Sequence, residues 1–257
     1  MSVTDQTSLD EVALRHARVC LGPRMRAART LESCARVVCE VLYEELGAAD
    51  RVGERSACAL VRCFKTHALG ALEPSLRAYA RTLADVGEAG RHDLPCLTLL
   101  ASAGDEWAWR SRHTAGRHRL IPLPSQAALD RVPMVAAIFR EFNVSIDEAR
   151  PRHWGLSSDA PRAYGLFHVE DAPGDPRVPE QDAFVRPYGI RSVVGFGGSL
   201  RRGDLFVVLL FTKTRVPVAV ARRVRGLALD VTTSFFRFGD DEVFDVVGTS
   251  GDGAVPR

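Results

Sequence analysis

Lysine is almost missing from this chain: only Lys65 and Lys213 stand among 34 basic residues, and the rest are arginine. GC-rich coding produces that bias, so it excludes no function. A surplus of charge is missing as well, because 32 acidic residues leave a formal net charge of only +2. Proteins that hold nucleic acid or an anionic membrane carry a clustered basic surface, and this balance argues against both. No run approaches the ~20 apolar residues that span a bilayer. The N-terminus, MSVTDQTSLDEVALRHARVC, is polar and acidic before any apolar stretch and does not read as a secretory signal. A cytoplasmic protein without membrane insertion is expected.

Sequence signs of catalysis are also lacking. There is no G-x-S-x-G, no H-E-x-x-H, no Walker sequence and no kinase catalytic loop. Glu170 and Asp171 are adjacent carboxylates, but neighbours on an extended chain point apart and make a poor acid–base pair. Six cysteines occur, and none forms the CxxC of a zinc ribbon or a thioredoxin-like site. Cys58 and Cys63, an odd number apart on an expected strand, should point to opposite faces. Cys34 and Cys39 sit five apart on an expected helix, off a shared face. Buried free thiols in a reducing compartment are the expectation. An enzyme is therefore not expected.

Hydrophobic residues make up 46% of the 257 and charged residues 26%, ordinary values for a chain with a sizeable core. Ser8 can cap a first helix that Gly22-Pro23 closes. A second helix is expected from Thr30 to Leu46, with Leu31, Cys34, Val38, Val41 and Leu42 on one stripe and Gly47 at its end. Residues 57–67 and 95–104 read as buried strands, with a helix from Glu73 to about Val86 between them. Residues 106–125, EWAWRSRHTAGRHRLIPLPS, form either a hairpin or a long irregular loop. A helix from Gln126 to Phe142, kinked by Pro133, comes next. The Pro-, Arg- and Ser-rich stretch 147–162 reads as a loop.

AYGLFHVE (163–170) returns to strand character. A hairpin then joins 191–198 to 205–213 through SLRRGD. A helix over 216–238 places Val220, Val224, Leu227, Val231 and Phe235 on one face. The Gly- and Asp-containing tail should be frayed. No repeat or internal boundary is visible, giving residues 1–28 as an N-terminal extension, 29–238 as one domain and 239–257 as a flexible tail. Helices beside adjacent antiparallel strands make the fold class α+β, around one central sheet.

Three segments carry a resemblance: WAWRSR…HRLIPLPS (107–125), LFHVEDAPGDPRVPEQDAFVRPYGIRSVVGFGG (166–198) and GDLFVVLLFTKTRVP (203–217). Over about 90–238 the chain resembles GAF-domain-like sensor regions of bacterial multidomain signalling histidine kinases. The resemblance implies a GAF-like central antiparallel β-sheet with α-helices on one side and ligand-cradling loops on the other. It also implies a sensory or regulatory module of a two-component system that works as a homodimer. Such a module binds a small molecule and signals to a histidine kinase or another protein by helix repacking. A ligand-free dimerisation or adaptor module is the alternative. Fewer than ~20 residues follow Phe238, too few for a catalytic output domain. The chain is thus expected to act through a partner, or to be a module excised from something larger.

Several residues are candidate ligand contacts. Trp107, Trp109, Arg110 and Arg112 combine aromatic faces with guanidinium groups. They either grip an anionic or planar ligand or form a structural edge where Arg stems lie on Trp rings. Tyr188 and Arg191 stand open between the same two roles. His118 and His168 fall at matching positions of the resembling segments. If the fold brings them together, they are the candidates for a metal or haem. Gly195-x-Gly197-Gly198 looks like a phosphate loop, but a strand follows where a helix N-terminus is needed. Those glycines are expected to serve a close backbone approach. The Asn-Lys-x-x-Asp pattern of cyclic-nucleotide-binding GAF domains and the Cys-His dipeptide of bilin-carrying ones are both absent.

Overall fold

The computed structural model describes residues 11–47, 57–83, 91–146, 164–200, 204–239 and 242–245. The Ser8 cap, the helix end near Val86, the 147–162 loop with His153, the tip of the SLRRGD turn and the chain beyond 245 lie outside the described residues.

Two antiparallel helices open the described chain, α1 (Glu11–Ala27) and α2 (Leu31–Gly47). The strands are β1 (Cys58–Ala68), β2 (Pro95–Gly104), β3 (Leu120–Pro122), β4 (Tyr164–Val169), β5 (Ser192–Ser199) and β6 (Leu205–Thr212). They form one fully antiparallel sheet in the order β3-β2-β1-β6-β5-β4. The remaining helices are α3 (Pro74–Leu83), α4 (Gln126–Asp130), α5 (Pro133–Glu141), α6 (Val218–Val224) and α7 (Leu227–Phe235). The fold is α+β, with one central antiparallel sheet flanked by helices.

Central strands β1 and β6 are buried on both faces, so β6 reads as a nearly unbroken apolar run, and β1 does too apart from Arg62 and its Lys65–His67 end. One face holds Val61, Cys63, Val208 and Leu210 against Leu42 of α2, Leu21 of α1 and Val231 of α7. The opposite face holds Phe64, Leu97, Leu209 and Phe211 against Ile138 of α5 and the excursion 105–190. Each sheet face therefore serves a separate core, with α1, α2 and α7 on one side and α5 with the cavity described below on the other.

Several sequence expectations need correction. α1 runs through Gly22-Pro23 to Ala27, because Leu21 and Met25 are buried on both sides of the proline and hold the last turn. Residues 126–142 form two helices, not one kinked helix. Pro133 occupies the first turn of α5, where its missing N–H costs nothing. The expected helix 216–238 also divides, because Gly226 and Ala228 donate to carbonyls three residues back and tighten the turn between α6 and α7. Of the two forms open for residues 106–125, the irregular one is found: single 3-10 turns at Trp107–Trp109 and Gly116–Arg119 lead into β3.

Cys58 and Cys63 face the same helical layer, since an irregularity between Cys58 and Leu60 shifts the strand by one residue. Cys34 and Cys39 likewise both lie in that core. All six cysteines are free, and Cys20 alone is not fully buried. Burial pushes the Cys34, Cys58 and Cys96 thiols up to about 12, far from a reactive thiolate.

The tail, expected to fray from Gly239, docks at its described residues. Val243 O accepts from Glu32 N at 2.8 Å, Asp245 pairs with Arg36 at 3.2 Å, and Phe244 stacks on His67. In the N-terminal helix, Leu14, Ala17, Leu21 and Met25 of α1 are core residues.

Candidate functional site

A cavity of about 590 Å³ lies between the sheet and the 105–190 excursion. Its floor is the face of β1 and β6 that carries Leu60, Arg62, Phe64, Leu209 and Phe211. Met134, Val135 and Ile138 of α5 form one wall. The remainder comes from the two Trp/His-rich turns and from the segment around Phe184 and Tyr188. The size lies within the range of small-molecule sites, which are mostly apolar with a few placed polar groups.

An aromatic corner shapes one side. The Trp109 ring lies 4.4 Å from Tyr188 and 5.3 Å from Phe184 between centroids, and Phe184 meets Phe211 edge-on at 5.2 Å. The loop that delivers Phe184 is stapled by Gln181. Its Nε2 donates to the carbonyls of Ala172, Asp175 and Val178, and its Oε1 accepts from Gly174 N. Before it, Glu180 lines the cavity with a left-handed backbone (φ 60°), a conformation a non-glycine residue adopts only when its surroundings impose it. The single π turn Gln181–Val185 follows directly.

Of the residues singled out in the sequence, Trp109, His118 and Tyr188 come together on the cavity lining. The others stand elsewhere. Trp107 is 74% exposed and points away from the core. Arg110 donates to the carbonyls of Gly104 and Asp105 at 3.1 and 3.0 Å, fixing the start of the excursion.

Arg112 is buried and holds Glu73 with two hydrogen bonds. Its Nε lies 2.9 Å from Glu32 Oε1, although the N–H direction misses the oxygen. Its guanidinium also sits 4.7 Å over the Phe244 ring. Burial pulls the Glu73 carboxyl up, but hydrogen bonds from Arg112 and Ser75 outweigh it and leave the pKa below its ordinary value. Arg191 pairs with Asp171 at 3.6 Å at the surface.

His118 and His168 are not brought together. His168 pairs in register with Val194 on the helical face of the sheet, and its Nε2–H donates to Val216 O at 2.7 Å. His118 belongs to the cavity face beside β3, at the other edge of the sheet. One metal or haem iron cannot take both. Among the described residues, three donors within 4.8 Å of one another do occur at His16, Cys20 and Glu45, on the outer helical layer and away from the cavity.

The sequence reading passed over Arg62. It stands in the middle of β1, is 8% exposed, and its Nε is enclosed without an acceptor. Burial pulls its pKa down to about 10, and no carboxylate acts against that. Ser102, directly across from it on β2 and therefore on the same face, also has a buried Oγ without a partner. The signal was present in the sequence: one arginine inside the apolar run ACALVRCF.

The expected close backbone approach at the glycine-rich strand is present. A Cβ on Gly197 would fall 2.1 Å from Phe206 O, and one on Gly165 of the neighbouring strand would fall 1.9 Å from the Phe142 ring. Those glycines let Phe142 seal the cavity-side core.

No family model matches this chain, and no curated protein does. Among solved structures it is similar to the phycoerythrobilin-bound GAF domain from a cyanobacterial phytochrome. The identity is 12%, the alignment covers 92% of this chain and 97% of that one, and the TM-score is 0.41. A likeness at that level carries no argument about ligand or activity. No helix of the described residues is long and apolar enough to cross a membrane.

Proposed function

We propose that this chain is a GAF-like regulatory module, cytoplasmic and non-catalytic. It binds a small molecule or cofactor in the cavity and reports occupancy to a partner such as a histidine kinase. One observation carries this reading: the strand that floors the cavity with Leu60, Arg62 and Phe64 presents Val61 and Cys63 to the helical layer behind it. A ligand that favours one arrangement of the floor also favours one packing of α1, α2 and α7. It therefore shifts a population and makes no bond. Six free cysteines are in keeping with a reducing compartment.

The test is the visible absorption spectrum of freshly purified protein, together with mass spectrometry of what denaturation releases. A stoichiometric organic molecule supports the reading. A Soret band lost in His118→Ala but kept in His168→Ala identifies haem held on the cavity side. Protein that releases nothing, and that no small molecule stabilises against heat, overturns it.

A second reading, a ligand-free homodimerising adaptor, draws on Val12 and Val19 of α1 and Leu229 of α7. These large apolar residues are exposed (72%, 66% and 57%) on helices joined by the Arg18–Asp230 pair. Light scattering tests this interface. A dimer that dissociates in Val19→Glu or Leu229→Glu supports this interface, and a monomeric wild type removes it.

A further inference from the structure

We infer that the cavity takes an organic acid: a ring-bearing, otherwise apolar molecule whose single carboxylate is held by Arg62 on the floor. The inference rests on the cavity being a ligand site and goes further by naming the ligand's chemistry. An arginine cannot discharge itself by losing a proton at neutral pH, so burial leaves a cation that must be compensated. Among the described residues no carboxylate and no hydrogen-bond acceptor is paired with Arg62. Glu180 also lines the cavity, yet it is not among the charges acting on Arg62. The Ser102 hydroxyl across from Arg62 is a second enclosed polar group without a partner, behind the cavity lining rather than part of it.

A planar, bidentate donor matches a carboxylate, and one guanidinium balances one negative charge. Most of the remaining lining is apolar, with Thr114, His118 and Glu180 as polar exceptions, and it specifies the body of the ligand. Phe64, Leu97, Ile121, Met134, Ile138 and Leu209 offer no polar atom in their side chains. Trp109, Tyr188 and Phe184 present ring faces and edges to a flat body. An apolar molecule alone would leave Arg62 uncompensated, and a small inorganic anion would leave the apolar walls uncovered.

The test is calorimetric titration of the full chain with 2-naphthoate and with its neutral isostere 2-naphthamide. Wild type should bind the acid about ten-fold or more tighter than the amide, the ratio expected of a charge-assisted pair in a dry site. Arg62→Met, which keeps an apolar stem and removes the charge, should bring the two affinities within about two-fold of each other while amide binding persists. Arg62→Lys should keep part of the preference.

Equal affinities in wild type overturn the inference and leave the cavity as a ligand site for neutral molecules, and a preference for the acid that survives Arg62→Met overturns the role given to Arg62. Binding of neither probe overturns the inference, while the cavity reading stands or falls separately on what denaturation releases. If Arg62→Met does not fold, the wild-type ratio decides alone.

Discussion

Arg62 and His67 lie five residues apart on β1, and burial moves the pKa of each downward, Arg62 to about 10 and His67 well below 6.5. For a base so shifted, the folded state binds fewer protons than the unfolded chain between the two pKa values. Stability contributed at Arg62 therefore rises as pH climbs above about 10, and at neutral pH the full cost of the buried charge is present. Arg62→Met is expected to stabilise the ligand-free protein by about 1–3 kcal/mol in urea titrations, since it replaces an uncompensated charge with apolar atoms.

His67 titrates in a more accessible range. Its ring is buried against Phe244 with both nitrogens lacking partners, so it stays neutral in the fold. Below 6.5 the unfolded chain takes up a proton that the fold refuses, and stability falls by up to about 1.4 kcal/mol per pH unit. His67→Phe should flatten that slope when urea midpoints are compared at about pH 7.5 and about pH 5.5. An unchanged slope would show that His67 is protonated in the fold. Neither environment was legible from composition, because an arginine and a histidine inside an apolar strand look alike until their neighbours are known.

Elements followed local pattern wherever one face or both were apolar. β2 spans the expected 95–104, and α2 lies within one residue of its expected ends. Boundaries departed where a breaker residue met a tertiary constraint. Pro23 should stop a helix, yet the burial of Leu21 and Met25 outweighs one lost backbone bond. The same residue type at 133 starts a helix, because Val132 has already left helical geometry.

Glycines in the sheet report distance rather than turns. Gly197→Ala should cost about 3 kcal/mol or more, because the new Cβ meets the Phe206 carbonyl and backbone cannot yield. Gly165→Ala meets only the Phe142 side chain, so Phe142→Leu should recover much of its loss. Thermal unfolding of the two single and two double variants separates a backbone clash from a side-chain clash. Rescue of Gly197→Ala by Phe142→Leu would contradict the distinction.

Across the whole molecule, Arg112 joins parts of the chain that are distant in sequence. It ties Glu32 at the start of α2, Glu73 before α3 and Phe244 of the tail to the excursion that carries it. Arg112→Ala should cost about 3–5 kcal/mol, since it leaves Glu32 buried beside an empty space. It should leave the 2-naphthoate affinity of the folded protein within about two-fold of wild type, in contrast to Arg62→Met. The carboxylate side of the network carries the same pH sign as His67, in a more acidic window. The Glu73 pKa is held below its ordinary 4.5, so the stability it contributes is present above that value and lost as pH falls through the lowered one.

The sequence by itself determined the fold class, most of the strands and the presence of an aromatic, arginine-rich excursion. Those features depend on periodicity and on residue types close together in the chain. It also marked three residues that meet at the cavity, Trp109, His118 and Tyr188. Only the tertiary structure decided that Arg112 is a tie, that His168 belongs to the helical face and that Arg62 is the buried cation of the cavity. Each outcome depends on which segments lie beside which. Charge compensation is settled between segments far apart in sequence, and no local pattern encodes it.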